Sequence, residues 1–250
     1  MIRYEYPLNE RIRILLRLED LFDKLVWYVA RSHGLNHHAA LQTLFEICEV
    51  AARSDLKSEL LQELERQRTA LAALAGNPGV AAAKLKAVLT EIEQVYAGIH
   101  AIPGKVGHHI KEDEWLMAIK QRAVIPGGLC EFDLPSYHRW LHLPAPARRE
   151  YLQSWLEPML PVRAGAGIIL KLLREGSDPR QQKVQGGLFQ LMMDGRHAQM
   201  VRVGLAEDYP CVPEISANKY ALNIRFVRCM PGHPKVCAEA LAFELTFCSL

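Results

Sequence analysis

Apolar positions along the first two-thirds of the chain recur at helical spacing. Ile12, Leu15, Leu16, Phe22, Leu25, Val26 and Val29 form one stripe, with Arg13, Arg17, Asp20 and Lys24 on the opposite face. This predicts a long amphipathic helix opened by Asn9. A second helix, capped by Asn36, buries Leu41, Leu44, Phe45 and Cys48 and carries Arg53 in its last turn. Ser54 opens a third, with Leu60, Leu64, Leu71 and Leu74 as its stripe, and the turn Gly76-Asn77-Pro78-Gly79 ends it. A fourth follows on Leu85, Leu89, Ile92, Tyr96 and Ile99, so residues 55–99 read as an antiparallel helical hairpin. A further helix covers roughly 110–122, with Trp115, Leu116 and Ile119 inward.

The stretch from Ile125 to Pro144 is a junction. Pro126-Gly127-Gly128 stops the preceding helix, and Asp133 is placed to cap a short new one with Pro135 in its first turn. On that helix His138 and His142 are one turn apart and share a face. From about Lys183 the period becomes two. Asp194-Gly195 reads as a hairpin turn between Leu188–Met193 and His197–Leu205. Leu222, Ile224 and Phe226 alternate with polar neighbours, as do Leu241, Phe243, Leu245 and Phe247 near the end. The predicted class is therefore α+β: a helical domain over 8–178, then an antiparallel β domain over 179–250, which a short strand at 2–6 can join.

Composition narrows the function rather than the fold. Half of the 250 residues are apolar and 23% are charged, which marks a globular chain. Thirty basic against 28 acidic side chains leave a formal charge of +2, so any basic surface must be local. The six cysteines form no CxxC pair, and the start, MIRYEYPLNERIR, is too charged for a signal peptide. No stretch approaches the ~20 apolar residues of a membrane span; Gly165–Leu173 is cut by Lys171. These features predict a cytosolic protein with reduced thiols.

Candidate chemistry is sparse. His138 and His142 have the spacing of a zinc-binding pair, yet Arg-Trp-Leu lies between them, without the glutamate of HExxH, and no third ligand is placed. There is no GxSxG, no GxxxxGK[ST] and no GxGxxG before a helix, so no nucleophilic or phosphate-binding enzyme is indicated and no cofactor is expected. The strongest binding signal is basic. Ile215–Ala238 contains no Asp or Glu but holds Lys219, Arg225, Arg228 and Lys235. Alternation puts Lys219, Asn223 and Arg225 on one face of a strand, opposite Leu222, Ile224 and Phe226. Such a face can hold an acidic or carboxylate-ended segment; exposed Lys and Arg also serve only to protect a strand edge. Nucleic-acid binding by this face is the rival reading, weakened by the absence of a helix-turn-helix or an aromatic stacking strip.

Several short motifs occur in order: Pro7-Leu8-Asn9-Glu10 with Arg17, Glu59-Leu60-Leu61 with Arg66-Gln67, Gln121-Arg122, Ile125-Pro126-Gly127-Gly128, Phe132-Asp133-Leu134-Pro135, Trp140-Leu141-His142-Leu143-Pro144, Ile215-Ser216 and Ile224-Arg225-Phe226. Over nearly its whole length the chain resembles the ZapD family of Z-ring-associated cell-division proteins. The resemblance implies a non-enzymatic cytoplasmic homodimer at the midcell division site, without cofactor, metal, nucleic acid or direct membrane contact. It would bind the C-terminal tail of the tubulin-like GTPase FtsZ and so crosslink and bundle its filaments. It also implies that Arg17, Arg53, His138 and Arg225 serve tail binding. The long hairpin helices over 55–99 and the junction helix are both candidates for the dimer contact. Two basic positions of the family pattern are lost here, at Glu114 and Ala221, which Lys219 and Arg228 are placed to offset.

Overall fold

The computed structural model describes residues 1–52, 55–193, 195–228 and 235–250. In chain order the elements are β1 (Ile2–Pro7), α1 (Glu10–Val29), α2 (Gly34–Ala52), α3 (Leu56–Ala72), α4 (Ala82–Ala101), α5 (His108–Glu112), α6 (Glu114–Ala123), α7 (Pro135–Leu141), α8 (Ala145–Leu156), a 3-10 turn (Glu157–Met159), α9 (Leu160–Glu175), and then β2 (Arg180–Val184), β3 (Leu188–Met192), β4 (Met200–Leu205), β5 (Cys211–Ala217), β6 (Ala221–Arg228) and β7 (Leu241–Cys248). The class is α+β, helical first and antiparallel β after. The chain divides into two compact units, Ile14–Ile169, and Met1–Arg13 with Leu170–Leu250; each is described by itself.

In the first unit, Leu15, Leu18, Phe22 and Leu25 of α1 and Leu41, Leu44, Phe45 and Ile47 of α2 are buried. The start of α1 belongs to the other unit, where Asn9 Oδ1 accepts from Ile12 N at 2.9 Å, the expected cap. Val26, expected in the stripe, is 37% exposed. Asn36 does not cap α2, which already starts at Gly34; Leu35 N instead donates to His33 Nδ1 at 3.2 Å. Ser54, expected to open α3, lies outside the described residues.

The hairpin α3–α4 forms. Leu60, Leu64, Ile92 and Ile99 are buried, whereas Leu74 at the tip is 40% exposed. The predicted helix over 110–122 is broken: α5 ends and α6 restarts because Asp113 takes an extended backbone and its carboxylate accepts from Leu116 N at 2.9 Å. Asp133 does not cap α7; it accepts from Arg122 at 3.1 Å instead, and Leu134 stands in the cap position. The junction is held from inside. Trp115, Tyr137, Trp140 and Trp155 pack ring against ring, with Tyr137–Trp140 centroids 5.9 Å apart and Trp115–Trp155 5.6 Å. Arg148 of α8 is buried below them and donates to the carbonyls of Ser32, Leu141 and Leu143 and to His37 Nδ1.

In the second unit, one sheet has the order β1-β4-β7-β2 and the other β3-β6-β5, all pairings antiparallel. The residues 2–6 strand thus joins the first sheet, as expected. Leu222, Ile224 and Phe226 of β6 and Leu241, Phe243 and Leu245 of β7 meet in one core, with Phe226 and Phe243 centroids 4.9 Å apart. Period-two patterning is what allows this, since each strand offers one apolar face. Glu5 of β1 receives Arg174 at 2.7 Å and Arg202 at 3.1 Å, a small half-buried ion network.

Two expectations fail here. The strands flanking Asp194-Gly195 do not form a hairpin: β3 pairs with β6 in one sheet, while β4 pairs with β1 and β7 in the other. Asp194 itself lies outside the described residues. The turn chemistry was local, whereas partner choice came from which apolar faces could meet. The expectation of reduced thiols is also corrected at one pair, because Cys211 and Cys237 are joined in a disulfide. Cys48, Cys130 and Cys248 are free.

Candidate functional site

Arg17 lies on the exposed side of α1 and lines a groove of about 640 Å³ whose apolar lining includes Leu21, Phe45, Val50 and Val124. Asp20, three residues further along α1, is taken by Lys24 at 2.6 Å, which raises the lysine's pKa. Lys120 on the facing wall is taken by Glu49 at 2.9 Å. Among the described residues Arg17 makes no ion pair, so its guanidinium, with five donors, faces a groove of mixed lining in which Asp20, Glu46 and Glu49 stand beside Lys24, Lys120 and the apolar residues. Such a site suits a carboxylate next to an apolar side chain. Arg53 lies outside the described residues.

His138 and His142 pack at a tilt of 44° at the end of α7, with ring centroids 4.4 Å apart. His142 Nδ1 lies 2.8 Å from the His138 carbonyl, and Glu131 is 3.6 Å from His138 Nε2. Among the described residues no group of three or more His, Cys, Asp or Glu is placed to hold a metal ion.

The β5–β6 hairpin of the β3-β6-β5 sheet carries the remaining candidates, with Arg225 on its outer face. Arg225 is exposed there beside Asn223, while Ile224 and Phe226 point into the core, as parity required. Arg225 is not free: its guanidinium grips Glu214 of β5, directly across the ladder, at 2.5 and 2.7 Å. Arg228 likewise reaches Glu239. Lys219 is not on the strand. It sits in the β5–β6 turn, where Asn218 Oδ1 accepts from Tyr220 N and Ala221 N, and its ammonium lies 4.7 Å over the Tyr220 ring. The structure thus groups Lys219, Arg225 and Arg228 on one hairpin and holds Arg17 and His138 in the other unit. The glutamate partners were missed from sequence. A turn centred on Lys219-Tyr220 fixes the register that sets Glu214 against Arg225, so the signal was present.

The two lost basic positions have local reasons. Glu114 occupies the first turn of α6, where the helix dipole favours a carboxylate. Ala221 starts β6 and is buried. Neither removes the hairpin's cations.

These features define an α+β protein whose candidate sites are exposed cationic surfaces. A family model described as ZapD, cell division protein, matches residues 16–225. Cell division protein ZapD of Dechloromonas aromatica (strain RCB) is 53% identical over 252 residues, covering all of both chains. The proteins of that name from Azoarcus sp. (strain BH72) and Nitrosomonas eutropha (strain DSM 101675 / C91 / Nm57) are 52% and 51% identical, again over the full length of both chains. The chain belongs to the ZapD family of cell division proteins. None of the described helices is long and apolar enough to cross a membrane.

Proposed function

We propose that this protein is a non-enzymatic cell-division factor that binds the C-terminal tail of FtsZ. As a cytoplasmic homodimer at midcell it would crosslink and bundle FtsZ filaments. The observation that carries the reading is Arg17: a guanidinium without an ion partner among the described residues, lining a partly apolar groove, in a member of a cell-division family. The exposed arginines of the β5–β6 hairpin add to it, because their ion pairs are solvent-facing and contribute only ~0.2–1 kcal/mol, so an incoming carboxylate can replace the partner. A flexible tail loses conformational entropy on binding, so each single contact is weak. Two sites on one dimer strengthen binding through effective concentration without any new contact.

The test is a pelleting assay with FtsZ and GTP. Wild-type protein should bundle filaments, and FtsZ lacking its C-terminal tail should stay in the supernatant. Bundling of tail-less FtsZ would remove the tail from the mechanism. A monomer at micromolar concentration in sedimentation would remove the crosslink.

A further inference from the structure

The four outer strands of the two sheets are not equally protected. An open strand edge invites pairing with another chain, and proteins usually guard it with charge or proline. β1 carries Arg3, Glu5 and Pro7, and β2 carries Arg180 and Lys183. In β5 the outward positions are Cys211, Pro213, Ile215 and Ala217, and Pro213 has no N–H to offer. β3, Leu-Phe-Gln-Leu-Met, has neither a charge nor a proline.

The register says which backbone groups of β3 are open. Phe226 N donates to Gly187 O at 2.8 Å, and Met193 N to Tyr220 O at 2.7 Å. These bracket the ladder, so Phe189 and Leu191 exchange hydrogen bonds with Ile224 and Leu222. Leu188, Gln190 and Met192 therefore turn their N–H and C=O groups to the free edge, and no partner reaches them among the described residues. The same three side chains stand on the exposed face, with Leu188 65% and Met192 53% exposed. Tyr220, 62% exposed, stands beside the end of the strand. Directly across from Leu188 is Arg225.

We propose that β3 is a strand-accepting edge, which an extended, carboxylate-bearing peptide lengthens by adding itself beside Leu188–Met192. Main-chain hydrogen bonds to Leu188, Gln190 and Met192 supply affinity. Alternate apolar side chains of the peptide cover Leu188 and Met192. An added strand lies about 10 Å from β6, two strand spacings away. An acidic side chain on it meets Arg225 when the arginine leaves its exposed ion pair with Glu214. Arg225 is the cation on this face that favours such a peptide, and Lys219 adds positive charge at the β5–β6 turn near the end of β3. That the peptide is the FtsZ tail rests on the function proposed above.

Hydrogen exchange read by mass spectrometry tests this directly. With a synthetic peptide of the C-terminal residues of FtsZ, the amides of Leu188, Gln190 and Met192 should pass from fast to slow exchange. Gln190→Pro removes one outward N–H without touching the bonds to β6 and should weaken the peptide about tenfold by fluorescence anisotropy. Met192→Glu leaves the backbone intact and repels carboxylates, so it should weaken binding even if the proline variant folds poorly. Peptide bound without protection of 188–192, or bound equally well by both variants, overturns the β3 edge and leaves the tail reading standing. Failure of the wild type to bind the peptide overturns both. Protection that appears with rising protein concentration alone shows a second copy on the edge and overturns the peptide.

Discussion

Arg148 and Arg225 carry the same side chain to opposite ends. Arg148 is 6% exposed and has no carboxylate among its hydrogen-bond partners; its guanidinium is held by three main-chain carbonyls and by the ring of His37. It ties the α1–α2 turn to the α7–α8 turn, and every donor placed inward has a fixed acceptor. The Arg225 side chain is 52% exposed and rests on one carboxylate, Glu214, that is itself 45% exposed. Burial makes the first cation structural, because its acceptors would be stranded without it. Exposure leaves the second exchangeable, because water or another carboxylate can replace its partner. A count of arginines cannot separate the two roles; their surroundings can.

The comparison breaks if removing Arg148 is harmless. Arg148→Ala leaves the carbonyls of Ser32, Leu141 and Leu143 without their donor, and stability should fall by about 3–5 kcal/mol, the range for breaking a buried charged network. Urea unfolding measures it. Arg148→Lys should recover only part, since an ammonium lacks the fork that reaches several acceptors at once. A loss below about 1 kcal/mol in the alanine variant would class Arg148 with ordinary surface residues.

Arg225 should behave the opposite way. Arg225→Ala should lose ~1–3 kcal/mol of tail binding, as for a hydrogen bond to a charged partner. Its melting curve should move by no more than ~0.5 kcal/mol of stability. Arg225→Glu should abolish bundling in the pelleting assay while folding normally. Normal bundling by the folded Arg225→Glu protein would take this residue out of the site.

His37 supplies a finer test of the buried side. Its Nδ1 accepts from Arg148 at 2.8 Å and its Nε2 donates to the Arg31 carbonyl at 2.7 Å, so the ring is neutral with the proton on Nε2. Burial, then the charge of Arg148, push its pKa below the usual 6.5. The unfolded chain then takes up the proton first, so the stabilisation is complete above about pH 6.5 and is lost as pH falls toward the lowered value. His38, whose Nδ1 lies 2.6 Å from the Tyr137 hydroxyl, is shifted the same way by burial and adds to the slope. Stability measured from pH 7.5 to 5 should decline, and less steeply in His37→Gln; an unchanged slope would separate the ring from the effect.

The smallest effect concerns Glu214. Glu214→Gln removes an exposed ion pair and should cost only ~0.2–1 kcal/mol of stability. It frees the Arg225 guanidinium, so tail binding should tighten slightly and become more sensitive to salt. Weaker binding would mean that Glu214 orients the arginine rather than competing for it.

Much of this was legible in the sequence. The helical stripes of α1 and α2, the hairpin α3–α4, the Asn9 cap and the inward parity of Leu222, Ile224 and Phe226 all rest on local periodicity, which a chain displays before it folds. The errors fell where a residue had two physically reasonable partners. Asp133 was placed to cap a helix and instead meets Arg122. Asp20 has Arg17 and Lys24 within one turn on either side and binds Lys24. Lys219 was counted onto a strand that begins two residues later.

The sequence by itself determined that helices come first and antiparallel strands after, the main buried stripes of α1, α2 and the α3–α4 hairpin, the inward parity of β6, and the family to which the chain belongs. Tertiary structure alone decided that β3 and β4 part into separate sheets, that Cys211 meets Cys237, that Arg148 is buried while Arg17 makes no ion pair among the described residues, and which edge strand stays open among them. The reason is range. Periodicity and turn chemistry act within a few residues, while strand partners and ion partners are chosen among side chains distant in sequence, by whichever arrangement buries the apolar faces together and leaves no buried polar group alone.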